Sequence, residues 1–318
     1  MDWLFVVGGL VVLTFGAELL IRGSTALARK FGVSDLLIGL TLIGFGTSTP
    51  ELVSSIQAGL MGSPGVAVGN VVGSNIANIL LILGLSVAIT PFAVDLKSFG
   101  RDGAVALVAT LAAIGVSMTG EFSRAAGFAF VTAIVSYILY AFLTERRHPE
   151  SPKAEEHATA GAEAPMGPKS PALDIAFAAA GLLLLIFGAK YLVTGAINIA
   201  GALGVSETII GLTIVAVGTS LPELVTSVMA ALRGKSALAL GNVVGSNIYN
   251  IFGILGLTAI IHPVAAPAEI VAFDNWVMLG ATLLMILFVT TRSRLDRLEG
   301  AVMTLCYAGY VAWLVFNA

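Results

Sequence analysis

The chain has 318 residues, a formal net charge of −3, 57% apolar content and only 11% charged residues, with a mean hydropathy of +0.97. This composition excludes an ordinary soluble domain and indicates a polytopic helical membrane protein. Alternating ten-residue strands are absent, which argues against an outer-membrane barrel, and the single cysteine, Cys306, supports no disulfide, zinc site or redox pair.

Apolar segments separated by short polar breaks predict ten spans, at about 3–21, 34–60, 66–90, 103–118, 124–143, 172–193, 206–232, 238–261, 274–290 and 299–316. The first begins Met1-Asp2-Trp3 without a basic n-region and reads as a retained helix. The second carries Gly46-Thr47-Ser48-Thr49-Pro50-Glu51. A carboxylate at membrane depth costs roughly 2.5–3.5 kcal/mol on insertion scales, so Glu51 marks a functional site. A snorkelling Glu near a helix end is the bland alternative, and the adjoining hydroxyls and proline weigh against it. Pro50 has no N–H and crowds the Gly46 carbonyl, so the helix is expected to break there. Freed carbonyls inside a membrane need protein, water or an ion. Thr47 and Ser48 lie four and three residues before Glu51, on one helix face. A carboxylate, two hydroxyls and open carbonyls make an all-oxygen site suited to Na⁺ or Ca²⁺.

The third span carries Gly69-Asn70-Val71-Val72-Gly73-Ser74-Asn75-Ile76-Ala77-Asn78. Gly69 and Gly73 form a small-residue face for close helix contact. Ser74 and Asn78 are four apart, so their oxygens share a face and read as ligands. Asn70 and Asn75 read as hydrogen-bond partners instead.

After the fifth span, residues 145–171 are rich in Pro, Ala, Glu and Lys and lack apolar periodicity, which reads as a disordered linker. It divides the chain into a first repeat, 1–144, and a second, 172–318. An offset of 172 aligns the two without a gap over most of their length. Gly9, Gly16, Gly23, Gly32 and Gly39 meet Gly181, Gly188, Gly195, Gly204 and Gly211, and residues 44–85 share 26 of 42 positions with 216–257. The second motif pair is Gly218-Thr219-Ser220-Leu221-Pro222-Glu223 and Gly241-Asn242-Val243-Val244-Gly245-Ser246-Asn247-Ile248-Tyr249-Asn250. Ser246 and Asn250 read as ligands, and Asn242 and Asn247 as hydrogen-bond partners.

Five spans per repeat make the second copy run upside down, so the fold class is an all-α membrane protein of two inverted five-helix repeats. With the N-terminus outside, 14 of the 16 Lys and Arg residues fall on the cytoplasmic side and only Arg124 and Lys190 outside. Both termini are therefore expected outside a cell membrane, with the linker in the cytoplasm. Trp3, Trp276 and Trp313 fall at outer span ends, as interfacial anchors.

The paired G-T-S-x-P-E and G-N-x-x-G-S-N-I-x-N motifs resemble the alpha repeats of the cation/calcium antiporter superfamily, in its Na⁺/Ca²⁺ exchanger branch of prokaryotic type. The resemblance covers nearly the whole chain apart from the linker. It implies that Glu51 and Glu223 are the acidic Ca²⁺ ligands, helped by the Thr47 and Thr219 carbonyls. It implies Na⁺ ligation by Ser48, Ser74, Ser220 and Ser246 with backbone oxygens of Gly44 and Ala216, and it places Asn78 and Asn250 in the middle of the site. It also implies that the first and sixth helices slide against an eight-helix core. Archaeal exchangers and K⁺-dependent relatives carry an acid where this chain has Asn250, so a third carboxylate is missing here.

The expected function is thus secondary antiport of Na⁺ for Ca²⁺ by alternating access at one shared site. No cofactor, enzymatic activity or nucleic-acid partner is expected; the partners are Na⁺, Ca²⁺ and the lipid bilayer, with the monomer as the working unit. Two carboxylates neutralise one Ca²⁺ or two Na⁺, and Ca²⁺ accepts 6–8 oxygens in irregular geometry, so the ions compete. The rivals are H⁺/Ca²⁺ or K⁺-dependent exchange, a cation channel, and an intramembrane hydrolase using Glu51 and Glu223 as an acid–base pair. The absence of a His or Cys cluster removes metalloprotease chemistry from the last.

Overall fold

The structure, a computed structural model, describes residues 2–31, 34–62, 64–147, 170–202 and 216–317. The predicted span at 206–232 thus lies partly outside the described residues, and most of the 145–171 segment does too. In chain order the helices are α1 (Asp2–Phe31), α2 (Asp35–Ile38), α3 (Gly44–Thr47), α4 (Thr49–Leu60), α5 (Pro64–Ala77), α6 (Gly84–Ile89), α7 (Leu96–Ser117) and α8 (Arg124–Arg147). They continue as α9 (Pro171–Ala202), α10 (Ala216–Thr219), α11 (Leu221–Leu232), α12 (Ser236–Ile248), α13 (Gly256–Ile261), α14 (Asn275–Arg292) and α15 (Arg297–Asn317). Wider π turns at Gly39–Ile43, Asn78–Leu83, Tyr249–Leu255 and Ile270–Asp274 join several of them.

Among the described residues, eight helical stretches are long and apolar enough to cross a membrane: 2–27, 64–89, 99–117, 124–144, 171–191, 236–261, 270–292 and 297–316. The predicted span at 34–60 is not one helix. It is broken into α2, a π turn, α3 and α4. The fourth predicted span starts earlier than expected, because α7 runs back to Leu96. Both flanking helices reach into the predicted 145–171 segment: α8 continues to Arg147 and α9 begins at Pro171. Pro171 suits that place, because an N–H at the first helical position would have no partner within the helix.

The fold is helical, as expected, and short strands accompany the helices without changing its class. Two-residue strands form two antiparallel ribbons: β1 (Phe92–Ala93) with β4 (Arg294–Leu295), and β2 (Glu121–Phe122) with β3 (Val264–Ala265). Each ribbon joins the first half of the chain to the second. The loops are too short for a propensity signal, and the pairing satisfies backbone groups at the ends of the helices.

Two stretches form the centre. The helical windows at 64–89 and 236–261 are 72% and 78% buried, against 11% for the last helix. They carry Val68, Val71, Ile76, Ile79, Leu83, Leu238, Val243, Ile248 and Ile254, all buried. The outer helices turn Phe15, Val108, Phe128, Leu183 and Leu305 outward, as expected where lipid tails are the solvent.

α1 and α9 lie along each other for most of their lengths. Glycine permits this: a Cβ on Gly23 would sit 2.6 Å from the Ala178 nitrogen, and one on Gly195 2.6 Å from the Asp2 carbonyl. Close approach of backbones is how helices gain packing energy without a hydrophobic driving force. At the end predicted to be cytoplasmic, Lys30 pairs with fully buried Asp174, and Glu18 bridges Arg22 and Arg233. The Asp102 and Asp274 pair, aligned by the repeat, plays one part twice: each accepts a tyrosine hydroxyl, Tyr137 at 2.8 Å and Tyr310 at 2.7 Å.

Candidate ion-binding site

Both proline motifs break their helices two residues before the proline itself. Ser48 and Ser220 adopt φ/ψ of −81°/12° and −89°/9°, and α4 and α11 start immediately after them with the proline in the first turn. A first turn tolerates proline because its N–H would be unpaired anyway. The new helix start then brings Glu51 and Glu223 into first-turn positions, where the positive end of a helix favours a carboxylate. Both are 1% exposed.

The halves cross-service each other. Ser48 Oγ donates to Glu223 Oε1 at 2.8 Å, and Ser220 Oγ donates to Glu51 Oε1 at 3.1 Å. Ser220 Oγ also lies 3.4 Å from Ser74 Oγ. Ser246 Oγ donates to the Gly44 carbonyl at 3.2 Å. That carbonyl also takes the Ser48 N–H at 3.2 Å and lies 3.3 Å from Thr47 Oγ1. The Thr47 hydroxyl donates to the Ile43 carbonyl at 3.0 Å and stands 3.4 Å from Asn242 Oδ1. Thr219 ends α10 and Ala216 begins it. Eight of the twelve ligand candidates take part in these contacts; Ala216 and Thr219 are placed by the backbone of α10.

The asparagines take the bonding roles expected for Asn70, Asn75, Asn242 and Asn247. Asn70 Nδ2 donates to the Glu51 carbonyl at 3.1 Å and to Ser55 Oγ at 2.9 Å. Asn242 does the same to the Glu223 carbonyl at 3.3 Å and to Ser227 Oγ at 2.8 Å. Each therefore ties its motif helix to the helix bearing the acid. Ser55 and Ser227 were not singled out from the sequence. Their signal was available: each lies four residues after its glutamate, on the same face, and the repeat keeps both.

Asn78 opens one π turn and Asn250 sits second in another. A π turn widens the backbone locally and often marks a functional site. Asn78 Nδ2 donates to Asn247 Oδ1 at 3.0 Å, and Asn250 Nδ2 to Asn75 Oδ1 at 3.1 Å. Four buried oxygens in this region have no protein partner: Glu51 Oε2, Glu223 Oε2, Asn78 Oδ1 and Asn250 Oδ1. They form two pairs related by the repeat. An unpaired buried carboxylate oxygen is costly, and four hard oxygens of this kind suit Na⁺ or Ca²⁺. Phe45 and Tyr249, next in sequence to Gly44 and Asn250, stack with ring centroids 4.4 Å apart; the repeat puts Val217 and Ala77 at the matching positions, so this aromatic pair has no counterpart there.

The sequence profile of the family described as sodium/calcium exchanger protein matches residues 1–144 and 173–316. The chain is 36% identical to the putative antiporter CaxA of Alkalimonas amylolytica, over 99% of this chain and 98% of that protein. It is 33% identical to the sodium/calcium exchanger MaX1 of Methanosarcina acetivorans, over 99% of both. Among solved structures, the sodium-calcium exchanger NCX_Mj soaked with 2.5 mM Na⁺ and 0.1 mM Ca²⁺ superposes with a TM-score of 0.82 at 32% identity, covering 98% of this chain and 97% of that one.

Proposed function

The chain belongs to the sodium/calcium exchanger protein family, whose members are membrane cation/Ca²⁺ antiporters rather than enzymes, and on that premise we propose that it exchanges Na⁺ for Ca²⁺ by alternating access at one shared site. The observation that carries this reading is the set of four partnerless buried oxygens on Glu51, Glu223, Asn78 and Asn250. Their two carboxylates supply two negative charges, enough for one Ca²⁺ or two Na⁺. Ca²⁺ draws on Glu51 and Glu223 with the Thr47 and Thr219 carbonyls. Na⁺ draws on Ser48, Ser74, Ser220 and Ser246 with the backbone oxygens of Gly44 and Ala216. Because the same two carboxylates balance the charge of either one Ca²⁺ or two Na⁺, one ion must leave before the other binds, and that exclusion couples their movements.

The architecture in this reading is ten spans, with the broken stretch at 34–60 and the one that ends in α10 and α11 completing the eight long helices. The repeats 1–144 and 172–318 are inverted about the site, joined by a cytoplasmic linker. Helices broken at mid-membrane and placed at a repeat interface are how secondary transporters hold small cations. Basic residues set the orientation, with both termini outside and the monomer as the unit.

The test is Ca²⁺ flux in vesicles of the purified protein under imposed Na⁺, K⁺ or H⁺ gradients. A Na⁺ gradient alone should drive Ca²⁺ against its own gradient. Flux driven only by protons, or requiring K⁺, would replace Na⁺ as the coupling ion, and ungated downhill flux would point to a channel.

A further inference from the structure

Asn78 and Asn250 leave an amide oxygen, not an amide nitrogen, without a partner. The cause lies one contact further from the carboxylates. Asn247 Nδ2 donates to the Asn75 carbonyl at 3.3 Å, and Asn75 Nδ2 donates to the Asn247 carbonyl at 3.4 Å. A backbone carbonyl only accepts, so each of these side chains must give it the NH₂ and turn its own oxygen the other way. Those oxygens receive the NH₂ groups of Asn78 and Asn250, at 3.0 and 3.1 Å. An amide that has given its NH₂ to one side presents its oxygen to the other. The direction of Asn78 and Asn250 is therefore dictated by two backbone carbonyls, through Asn247 and Asn75. Every link crosses from one half of the chain to the other, and all four side chains are 4% exposed or less.

We propose that Asn75 and Asn247 are positioning residues, which hold Asn78 and Asn250 with the oxygen rather than the NH₂ facing the transported cation. This rests on the reading of Asn78 and Asn250 as ion ligands. Without the lock, each amide could rotate and aim a partly positive NH₂ at the ion. Groups that orient a ligand from outside its contact shell typically change metal affinity ~10- to 100-fold when removed.

The experiment is a double-mutant cycle on the full chain in proteoliposomes, reading the Ca²⁺ concentration at half-maximal exchange. Asn78→Ala and Asn247→Ala should each raise it ~10- to 100-fold. The double variant should be no worse than Asn78→Ala, because the lock then has nothing to hold. The mirrored cycle of Asn75→Ala with Asn250→Ala should behave alike. If an alanine at 75 or 247 prevents folding, serine takes its place in the cycle. Fold-changes that multiply, or an Asn247 variant with lower thermal stability and unchanged half-saturation, would overturn the positioning role while leaving the site intact. If Asn78→Ala and Glu51→Gln both leave half-saturation unchanged, the ion-site reading itself fails, and positioning falls with it.

Discussion

Ser48 Oγ lies 2.8 Å from Glu223 Oε1 and donates to it across 175 positions of sequence. The bond from Ser220 to Glu51 at 3.1 Å is its counterpart under the repeat. Each carboxylate is thus held by a hydroxyl from the opposite half. A single half would leave its glutamate with no such donor, so the site exists only at the junction of the two. Charge-assisted bonds of this kind are short and strong, and they fix Oε1 while leaving Oε2 of each glutamate without a protein partner.

The first prediction tests the carboxylates. Glu51→Gln and Glu223→Gln should each abolish Ca²⁺ transport in proteoliposomes, since a dehydrated divalent ion loses half its counter-charge. Thermal unfolding in detergent should show equal or higher stability, because an amide of the same shape relieves the burial of a charge. A structural glutamate would give the reverse, with lower stability and residual transport. Purified Glu51→Gln exchanging at the wild-type rate would defeat the assignment.

The second tests the crossed hydroxyls. Ser48→Ala and Ser220→Ala remove both a proposed Na⁺ ligand and a bond to a carboxylate. A hydrogen bond to a charged group is worth about 1.5–3 kcal/mol, so half-saturating Na⁺ should rise ~10- to 100-fold. Ser86→Ala is the control: that hydroxyl is buried but has no partner, and its loss should leave Na⁺ dependence unchanged. Equal responses at 48, 220 and 86 would argue against ligation.

Much of this was legible in the sequence because the chain states it twice. The offset of 172 pairs Glu51 with Glu223 and Asn78 with Asn250, and intramembrane acids are rare enough to stand out. The break at the proline was legible as well, but not its register: Ser48 and Ser220 carry it, because a proline is most easily housed in the first turn of a new helix. The π turns at 78–83 and 249–255 could not be read, since the wider turn differs from an α-helix in hydrogen bonding and not in composition. Nor could the partners of Asn75 and Asn247, because those bonds join residues more than 160 positions apart. The ribbons at Phe92–Ala93 and Arg294–Leu295 escaped for the same reason.

The third prediction concerns the α1–α9 contact. A Cβ on Gly23 would meet backbone atoms of Ala178 and Asp174 at 2.6 and 2.7 Å. Backbone cannot rotate away as a side chain can, so Gly23→Ala should destabilise the protein by about 1–3 kcal/mol, the usual cost of overpacking. Gly280 has nothing within 4 Å of its Cβ position, and Gly280→Ala should be neutral or stabilising in the same thermal assay. Equal stability of the two variants would show that α1 and α9 can separate at no cost.

Orientation gives the fourth. With 14 of 16 basic residues predicted to lie on one side, Ser151→Cys in a Cys306→Ala background should react with an impermeant maleimide only after the cytoplasmic face is opened. Labelling from outside intact cells would invert the arrangement.

The last prediction follows from the direction of the Asn250 amide. Its NH₂ donates to Asn75 Oδ1 at 3.1 Å, and Asn75 cannot turn to offer a donor, because its own NH₂ is held by the Asn247 carbonyl. Asn250→Asp therefore places a carboxyl against an acceptor. Protonated, the new group can donate as the amide does, and the variant should exchange much like wild type. Ionised, it faces the Asn75 oxygen without a donor and adds a third negative charge to the site. Half-saturating Ca²⁺ should accordingly match wild type at acid pH and diverge as pH rises, whereas Asn250→Ala should differ from wild type by the same factor throughout. Measuring exchange by both variants across pH decides it. An Asn250→Asp profile parallel to that of Asn250→Ala would mean that Asn75 does not hold this position in the way its hydrogen bonds imply.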